Sequence, residues 1–311
     1  MCLQVLPKES KVVSVKPHGT SDWASTARVE TEMGDGSQKT YFLKILRGPN
    51  GGERVLGEYM SMTEIYKTFP SIAPQPRGYG KCKDEDVHFF LCDYLFIKNV
   101  LPDPVRLGKK LAELHRRSES PTGKFGFHCT TFDGKLPLTT AWDSNWTSFF
   151  TKLMRGVYEL DVEVNGFWQE LDDAMKEMLD KLIPRLLDPL TAEGRTIKPC
   201  LIHGDLWESN IGTEEQTGEI YIFDACAYYA HHEKELGIWR CKHHDMKEAQ
   251  YREKYFENFK PSEPKEEFDD RNRLYSVETL LINSAHFPGS VARSLALNEL
   301  NWLINKYRQE M

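Results

Sequence analysis

Three stretches near the start of the chain, residues 11–15, 27–31 and 40–46, alternate apolar with polar positions or concentrate β-branched and aromatic residues, and so predict strands. Turn-rich connections separate them. The first is His18-Gly19-Thr20-Ser21-Asp22; the second is Met33-Gly34-Asp35-Gly36-Ser37, which carries the Asp-Gly hairpin signal. Residues 54–69 place Val55, Leu56, Tyr59, Met60, Met62 and Ile65 close to a 3.6-residue period, which predicts a helix, and the prolines at 70 and 76 end it. The glycine-rich stretch 48–52 lacks the Gly-Lys-Ser/Thr ending of a P-loop and reads as a flexible linker. Residues 88–94 form a compact apolar run, expected to be a buried strand.

Beyond residue 95 the pattern turns helical. Residues 104–117 put Leu107, Leu111 and Leu114 on one face, and 146–157, 167–187, 248–259, 271–287 and 292–309 are long helical patterns. Two short apolar runs interrupt them: 201–202, leading into the turn His203-Gly204-Asp205, and 220–223, followed by Asp224. The expected fold class is therefore α+β with two lobes. A β-rich N-terminal lobe spans 1–95 and a larger, mainly helical lobe spans 96–311. They join around residues 93–100, with a ligand cleft between them.

Composition narrows the function classes. No run of the 311 residues approaches the ~18 consecutive apolar positions of a membrane span, so no membrane partner is expected. A net charge of −7 argues against nucleic acid as the main partner, because phosphate-backbone binding shows a basic surface. The opening segment has no cationic-then-apolar export pattern. The seven cysteines are odd in number and form no CxxC, which suits a reducing, cytoplasmic setting. Cys241 with His243 and His244 fits no standard zinc spacing. The sequon Asn145-Trp146-Thr147 reads as an accident of sequence.

The strongest chemical signal is His203-Gly204-Asp205-Leu206-Trp207-Glu208-Ser209-Asn210, followed by the apolar run that ends in Asp224. Phosphoryl transfer to a hydroxyl needs a carboxylate to orient the acceptor and hard oxygens to hold metal ions on the triphosphate. Asp205 suits the first role. Asn210, five residues on, and Asp224, at the end of a strand, suit Mg²⁺. Upstream, Tyr41-Phe42-Leu43-Lys44-Ile45 sets a lysine among apolar strand residues, a costly placement unless the ammonium finds a partner. Kinases put such a lysine on the ATP phosphates and pair it with a helix glutamate. Glu58 is the candidate, with Glu53 as the alternative. Gly19-Thr20-Ser21 occupies the hairpin where a phosphate-covering loop would lie.

These residues resemble the fructosamine-3-kinase (ketosamine-3-kinase) family of aminoglycoside and choline kinase-like phosphotransferases. The most specific mark is the sequence 203–207 ending in Trp207, with Asn210 after it. Phe125-Gly126-Phe127-His128, the Trp142, Trp146, Phe149, Phe150 block, the stretch 224–236 and Asn283 with His286-Phe287 add to it, so the likeness spans roughly 12–305. It implies a protein-kinase-like bilobal fold and an ATP- and Mg²⁺-dependent enzyme. Such an enzyme phosphorylates the 3-hydroxyl of fructosamine or ribulosamine adducts on free amines or on protein lysines, as a deglycation repair. It further implies Asp205 as catalytic base, Asn210 and Asp224 as metal ligands, and Lys44 and Glu58 as phosphate anchors. The backbone of Asp93, Tyr94 and Leu95 would be the adenine hinge. Trp207, His286, His231 and Glu235 would line the sugar side, the last two with a bracing role as the alternative. Asp224-Ala225 replaces the family's Asp-Pro, and the phosphate-covering loop has a single glycine and no cysteine. A kinase of another small hydroxylated molecule and a non-catalytic binding module are the rival readings. Neither substrate preference nor a choice between monomer and homodimer follows from the sequence.

Overall fold

The computed structural model describes residues 5–19, 21–83, 86–98 and 100–310. Its first part is an antiparallel sheet in the order β1 (Lys11–Pro17), β2 (Ser25–Glu32), β3 (Gln38–Arg47), β5 (Val87–Asp93), β4 (Pro76–Lys81), with helix α1 (Gly51–Thr68) between β3 and β4. The period-2 alternation of β3 divides its side chains between two environments. Tyr41 and Leu43 join Ala27, Val29, Phe89 and Leu91 on the outer face, which Val5 and Leu6 cover. Lys44 and Leu46 face α1 along with Phe90 and Cys92, and the apolar members of this face belong to the main core that continues into the second part of the chain.

That second part holds β6 (Ile97–Lys98), α2 (Pro104–Arg117), β7 (Phe132–Asp133), β8 (Leu136–Pro137), α3 (Trp146–Asn165), α4 (Gln169–Glu177), α5 (Ile183–Leu187), β9 (Cys200–Ile202), β10 (Ile211–Glu214), β11 (Ile220–Ile222), β12 (Tyr228–Ala230), α6 (Ala249–Asn258), α7 (Phe268–His286) and α8 (Ala292–Tyr307). Short strand pairs, β9 with β12 and β10 with both β11 and β6, carry the loops of interest, while the helices supply the core beneath them. Two helix starts, those of α2 and α3, carry side-chain caps. Asp103 accepts from the N–H of Arg106 at 2.8 Å with Pro104 in the first turn of α2. Asn145, the sequon asparagine, caps α3 through the N–H of Ser148 at 2.7 Å. The aromatic block on α3 packs in the core, with the Trp146 indole N–H on the Tyr275 hydroxyl at 2.9 Å.

Two expectations need correction, and two elements lie where the sequence pattern made no assignment. Gly51 and Gly52 are not linker: they form the first turn of α1 against the His88 ring, and only Gly48 and Asn50 take left-handed turns before it. Residues 167–187 are not one helix, because Pro184 has no N–H for the helical ladder and a π-helical turn, Met178–Leu182, lies between α4 and α5. The stretch after Glu233 begins with 3₁₀ turns, His232–Arg240, before α6. Strand β4 has no sequence signature, since Pro76, Gly78 and Gly80 look like loop. Among the described residues no helix is long and apolar enough to cross a membrane.

Helix α1 is the joint between the two parts. A Cβ at Gly57 would lie 2.8 Å from the Thr130 carbonyl oxygen, so the helix approaches the chain before β7 as closely as backbone allows. One turn on, Ser61 Oγ accepts the N–H of Ala227 at 3.0 Å, both groups buried. Gly57→Ala should therefore push α1 off this seat and lower stability by about 1–3 kcal/mol, as overpacking does; urea unfolding checks it, and an unchanged midpoint would contradict the packing described.

Candidate active site

Lys44 reaches the cleft from the α1-facing side of β3. Its Nζ lies 2.9 Å from Glu58 Oε2 and also bonds Asp224 Oδ1, so one ammonium joins β3, α1 and the loop after β11. Glu58 is buried on the face of α1 that meets the sheet, whereas Glu53 is exposed and is not the partner. Burial by itself would lower the Lys44 pKa, but Asp224 and Glu58 more than offset it and hold the ammonium charged. Burial also pushes Glu58 up to about 7, with Lys44 opposing and Asp224 adding to the rise. For Asp224, burial raises the pKa, yet the Lys44 charge and hydrogen bond bring it below its ordinary value. Its side chain is still 49% exposed to the cleft, and its backbone sits at φ 62, a left-handed conformation that non-glycine residues keep mainly where the surroundings enforce it.

The loop after β9 is held from three sides. The His203 ring is buried, with Nε2–H donating to the Phe223 carbonyl at 2.9 Å and Nδ1 accepting the N–H of Asp205 at 3.3 Å. The N–H of Cys226 returns to the His203 carbonyl at 3.1 Å, so the loops bearing Asp205 and Asp224 are tied to each other. Gly204 has φ +91, and a Cβ there would stand 2.6 Å from the Cys226 carbonyl oxygen, so only glycine fits. Beneath, the two carboxylate oxygens of Glu235 accept the N–H groups of His203 (2.6 Å) and Gly204 (3.1 Å), and Trp239 Nε1–H donates to the Leu206 carbonyl at 2.6 Å.

Asp205 projects from this loop. Asn210 Nδ2 donates to Asp205 Oδ2 at 2.9 Å and to its carbonyl at 2.8 Å, which leaves Asn210 Oδ1 without a partner among the described residues. Burial, then the charges of Asp133 and Asp224, push the Asp205 pKa well above the carboxylate range, against the hydrogen bonds from Asn210 and Trp207. The uncommitted amide oxygen of Asn210 and the half-open carboxylate of Asp224 form a hard-oxygen donor set that suits Mg²⁺.

The remaining expected positions divide. Gly19 takes a left-handed turn (φ +75) and Ser21 is exposed, its Oγ accepting the Trp23 N–H at 3.3 Å; Thr20 lies outside the described residues. Of the hinge residues, the N–H of Asp93 is committed to Gln75 (2.9 Å) and that of Tyr94 to Thr40 (3.2 Å). The Asp93 carboxylate holds Arg77 through both oxygens. Leu95 alone of the three has an N–H free of such bonds among the described residues. Trp207 adjoins Asp205 and packs on His244 with ring centroids 5.5 Å apart. His286 donates from Nε2 to Asp133 and lies against Trp23.

His231 and Glu235 do not line a sugar site. His231 is fully buried with its ring nitrogens on the hydroxyls of Tyr275 (2.9 Å) and Ser262 (2.8 Å), and both oxygens of Glu235 are spent under the catalytic loop, so each braces. Among the described residues the tightest group of metal-ligating types is His231, His232 and Glu233, but hydroxyls occupy the imidazoles and Arg271 forks onto Glu233 at 2.7 and 3.0 Å. Cys241 is buried and His243 exposed, while His244 Nδ1 lies 3.5 Å from Glu208 Oε1. Sequence reasoning missed Trp23, Arg54 and Asp133 at the cleft. Trp23, an aromatic in a loop, was the one visible signal among them.

Comparison with known proteins gives a concordant result. A family model described as fructosamine kinase matches residues 8–305. A protein-ribulosamine 3-kinase (chloroplastic) of Oryza sativa subsp. indica is 29% identical, over 94% of this chain and 79% of its own length. The ketosamine-3-kinase of Mus musculus is 26% identical, over 94% and 97%. Among solved structures, a candidate fructosamine-3-kinase from Thermobifida fusca superposes with a TM-score of 0.75 at 21% identity, covering 95% of this chain and 94% of that one. The aminoglycoside phosphotransferase APH(4)-Ia, as a thermostable mutant, gives 0.62 at 15%, covering 95% of each. At these identities the two structures speak to the shared kinase-like fold.

Two substitutions separate anchoring from bracing. Glu58→Ala leaves Lys44 held by Asp224 alone and should cut kcat/KM for the nucleotide about tenfold or more, about 1.4 kcal/mol; steady-state kinetics read this, and wild-type values would remove Glu58 from the site. Glu235→Ala strands two buried N–H donors, so thermal stability and kcat should fall while the acceptor KM stays within about twofold. A selective rise in that KM would instead mark Glu235 as a substrate ligand.

Proposed function

The chain belongs to the fructosamine kinase family, and from that premise we propose that it transfers the γ-phosphate of ATP to the C3 hydroxyl of ketosamines, on small amines or on glycated protein lysines. The observation that carries this reading is the convergence of Lys44, Glu58, Asp205, Asn210 and Asp224 on one cleft from four separate stretches of chain.

Each group has a role that its surroundings suit. Asp205, held by Asn210 and Trp207, receives the hydroxyl of the acceptor and takes its proton; its raised proton affinity, a consequence of burial among carboxylates, favours that transfer. Lys44, fixed by Glu58, offers its ammonium to the phosphates of the nucleotide. Asn210 and Asp224 would hold Mg²⁺, which when bound neutralises charge on the triphosphate. The free N–H of Leu95 and its carbonyl suit the adenine edge. Trp207 offers an aromatic face to sugar C–H groups and to the protonated amine. In a 3-phosphorylated ketosamine the phosphate sits on C3, next to the C2 carbonyl. Loss of a C1 proton through the enol expels inorganic phosphate from C3. Water then hydrolyses the resulting C1 imine, which frees the amine and leaves the sugar as a 3-deoxy dicarbonyl, the repair outcome.

A phosphorylation assay on fructosyl-lysine and ribulosyl-lysine derivatives tests the proposal. The wild-type protein should consume ATP with either class of acceptor. Asp205→Asn should lower turnover by at least about 10³-fold while Mg²⁺-ATP still raises its Tm. A variant that keeps its rate, or a wild type inert toward both acceptors, would refute it.

A further inference from the structure

Next to Asp205 stands a second carboxylate that the phosphoryl transfer above does not use. Asp133 ends β7, and the hairpin it enters is pressed into the cleft between the two parts of the chain. A Cβ at Gly134 would lie 2.8 Å from both Trp23 Nε1 and His286 Cε1, so the turn has no room to move outward. Arg54 of α1 clamps it, with Nε donating to the Gly134 carbonyl at 3.0 Å and Nη2 to the Trp23 carbonyl at 3.4 Å. Trp23 arrives from the phosphate-covering loop and lies on the His286 ring, centroids 4.6 Å apart. The phosphate loop, α1, the β7 hairpin and the end of α7 thus meet at one point, and Asp133 is the acidic group there.

The Asp133 carboxylate is underused. His286 Nε2–H donates to its Oδ1 at 3.2 Å and to its carbonyl at 3.1 Å, and no lysine or arginine among the described residues comes within ion-pair distance. The neighbouring Lys135 instead places its ammonium over the Trp23 ring, 5.2 Å from the centroid. The Asp133 side chain is only 17% exposed, and its charge bears on Asp205, His203 and Cys226. A mostly buried carboxylate without a full cationic partner is costly, and a cation supplied by a ligand removes that cost.

Resting on the function proposed above, we infer that Asp133 is a specificity-determining residue that receives the protonated amine of the ketosamine, with Trp23 as the aromatic wall beside it. The geometry of the substrate class agrees. In a ketosamine the amine nitrogen and the O3 atom are separated by three carbons, so a substrate whose O3 meets Asp205 carries its ammonium to a neighbouring position. A carboxylate beside an aromatic face is a cation receptor. The arrangement also couples recognition to the nucleotide side, because Trp23 belongs to the loop that covers the phosphates.

The test compares a fructosyl-amine with a protonatable secondary amine and its N-acetylated, neutral counterpart, and takes their ratio in wild type and variant so that the added acetyl group cancels. The cationic-to-neutral ratio of kcat/KM should fall about tenfold or more in Asp133→Asn, the loss expected for a charge-assisted contact. Asp133→Ser should repeat the loss, and a retained Tm increase with Mg²⁺-ATP confirms that each variant is folded. An unchanged ratio, or a shifted Mg²⁺ dependence that marks Asp133 as a metal ligand, overturns the inference and leaves the kinase reading standing. A wild type inactive on every ketosamine overturns both.

Discussion

One buried ammonium organises this cleft. Lys44 lies on an apolar face of a strand where an uncompensated charge would be strongly unfavourable, and the structure answers with two carboxylates from distant parts of the chain. To satisfy Lys44, α1 must be docked so that Glu58 points at β3, and the loop after β11 must be bent so that Asp224 points back across the cleft. The left-handed backbone at Asp224 and the Ser61 contact to Ala227 are parts of the same arrangement.

Negative charge is the second theme. Asp205, Asp224 and Asp133 crowd one region, with Glu58 just behind; among the described residues Lys44 ion-pairs with Asp224 and Glu58, and Arg54 acts on the same two carboxylates electrostatically. Such a concentration is unfavourable in the empty cleft. Under the proposed function a divalent cation and a cationic acceptor would offset it, so that the energetic cost of keeping the carboxylates together would be recovered at the moment of binding. Bracing keeps them from relaxing apart. Glu235 holds the backbone of His203 and Gly204, His203 holds Phe223, and the buried His115 ring stands 3.6 Å from Glu235.

Much of this was legible in the chain because it rests on residues that are odd for their setting. A lysine in an apolar strand, and a glycine before an aspartate that is followed five places on by asparagine, demand explanation from local pattern alone. The fold class followed from the change in periodicity near residue 95. What escaped did so for physical reasons. Strand β4 is built from Pro76, Gly78 and Gly80 and takes its identity only from pairing with β5. The sequence left His231 and Glu235 open between lining and bracing, because residue type does not reveal which side of a loop a side chain supports. Asp133, in a plain Asp-Gly turn, acquires meaning only from the tertiary approach of Trp23 and His286.

Helix α1 is seated by Gly57 on the backbone near Thr130 and by Ser61 on Ala227, within little more than one turn of each other and on either side of Glu58. A helix pinned on both flanks of its key glutamate has little freedom to rotate outward. Swinging that helix, a device open to kinases in which it is loosely docked, would here have to break both seats at once. The Lys44–Glu58 pair therefore stands formed with α1 already in its seat, and completing it requires no displacement of that helix.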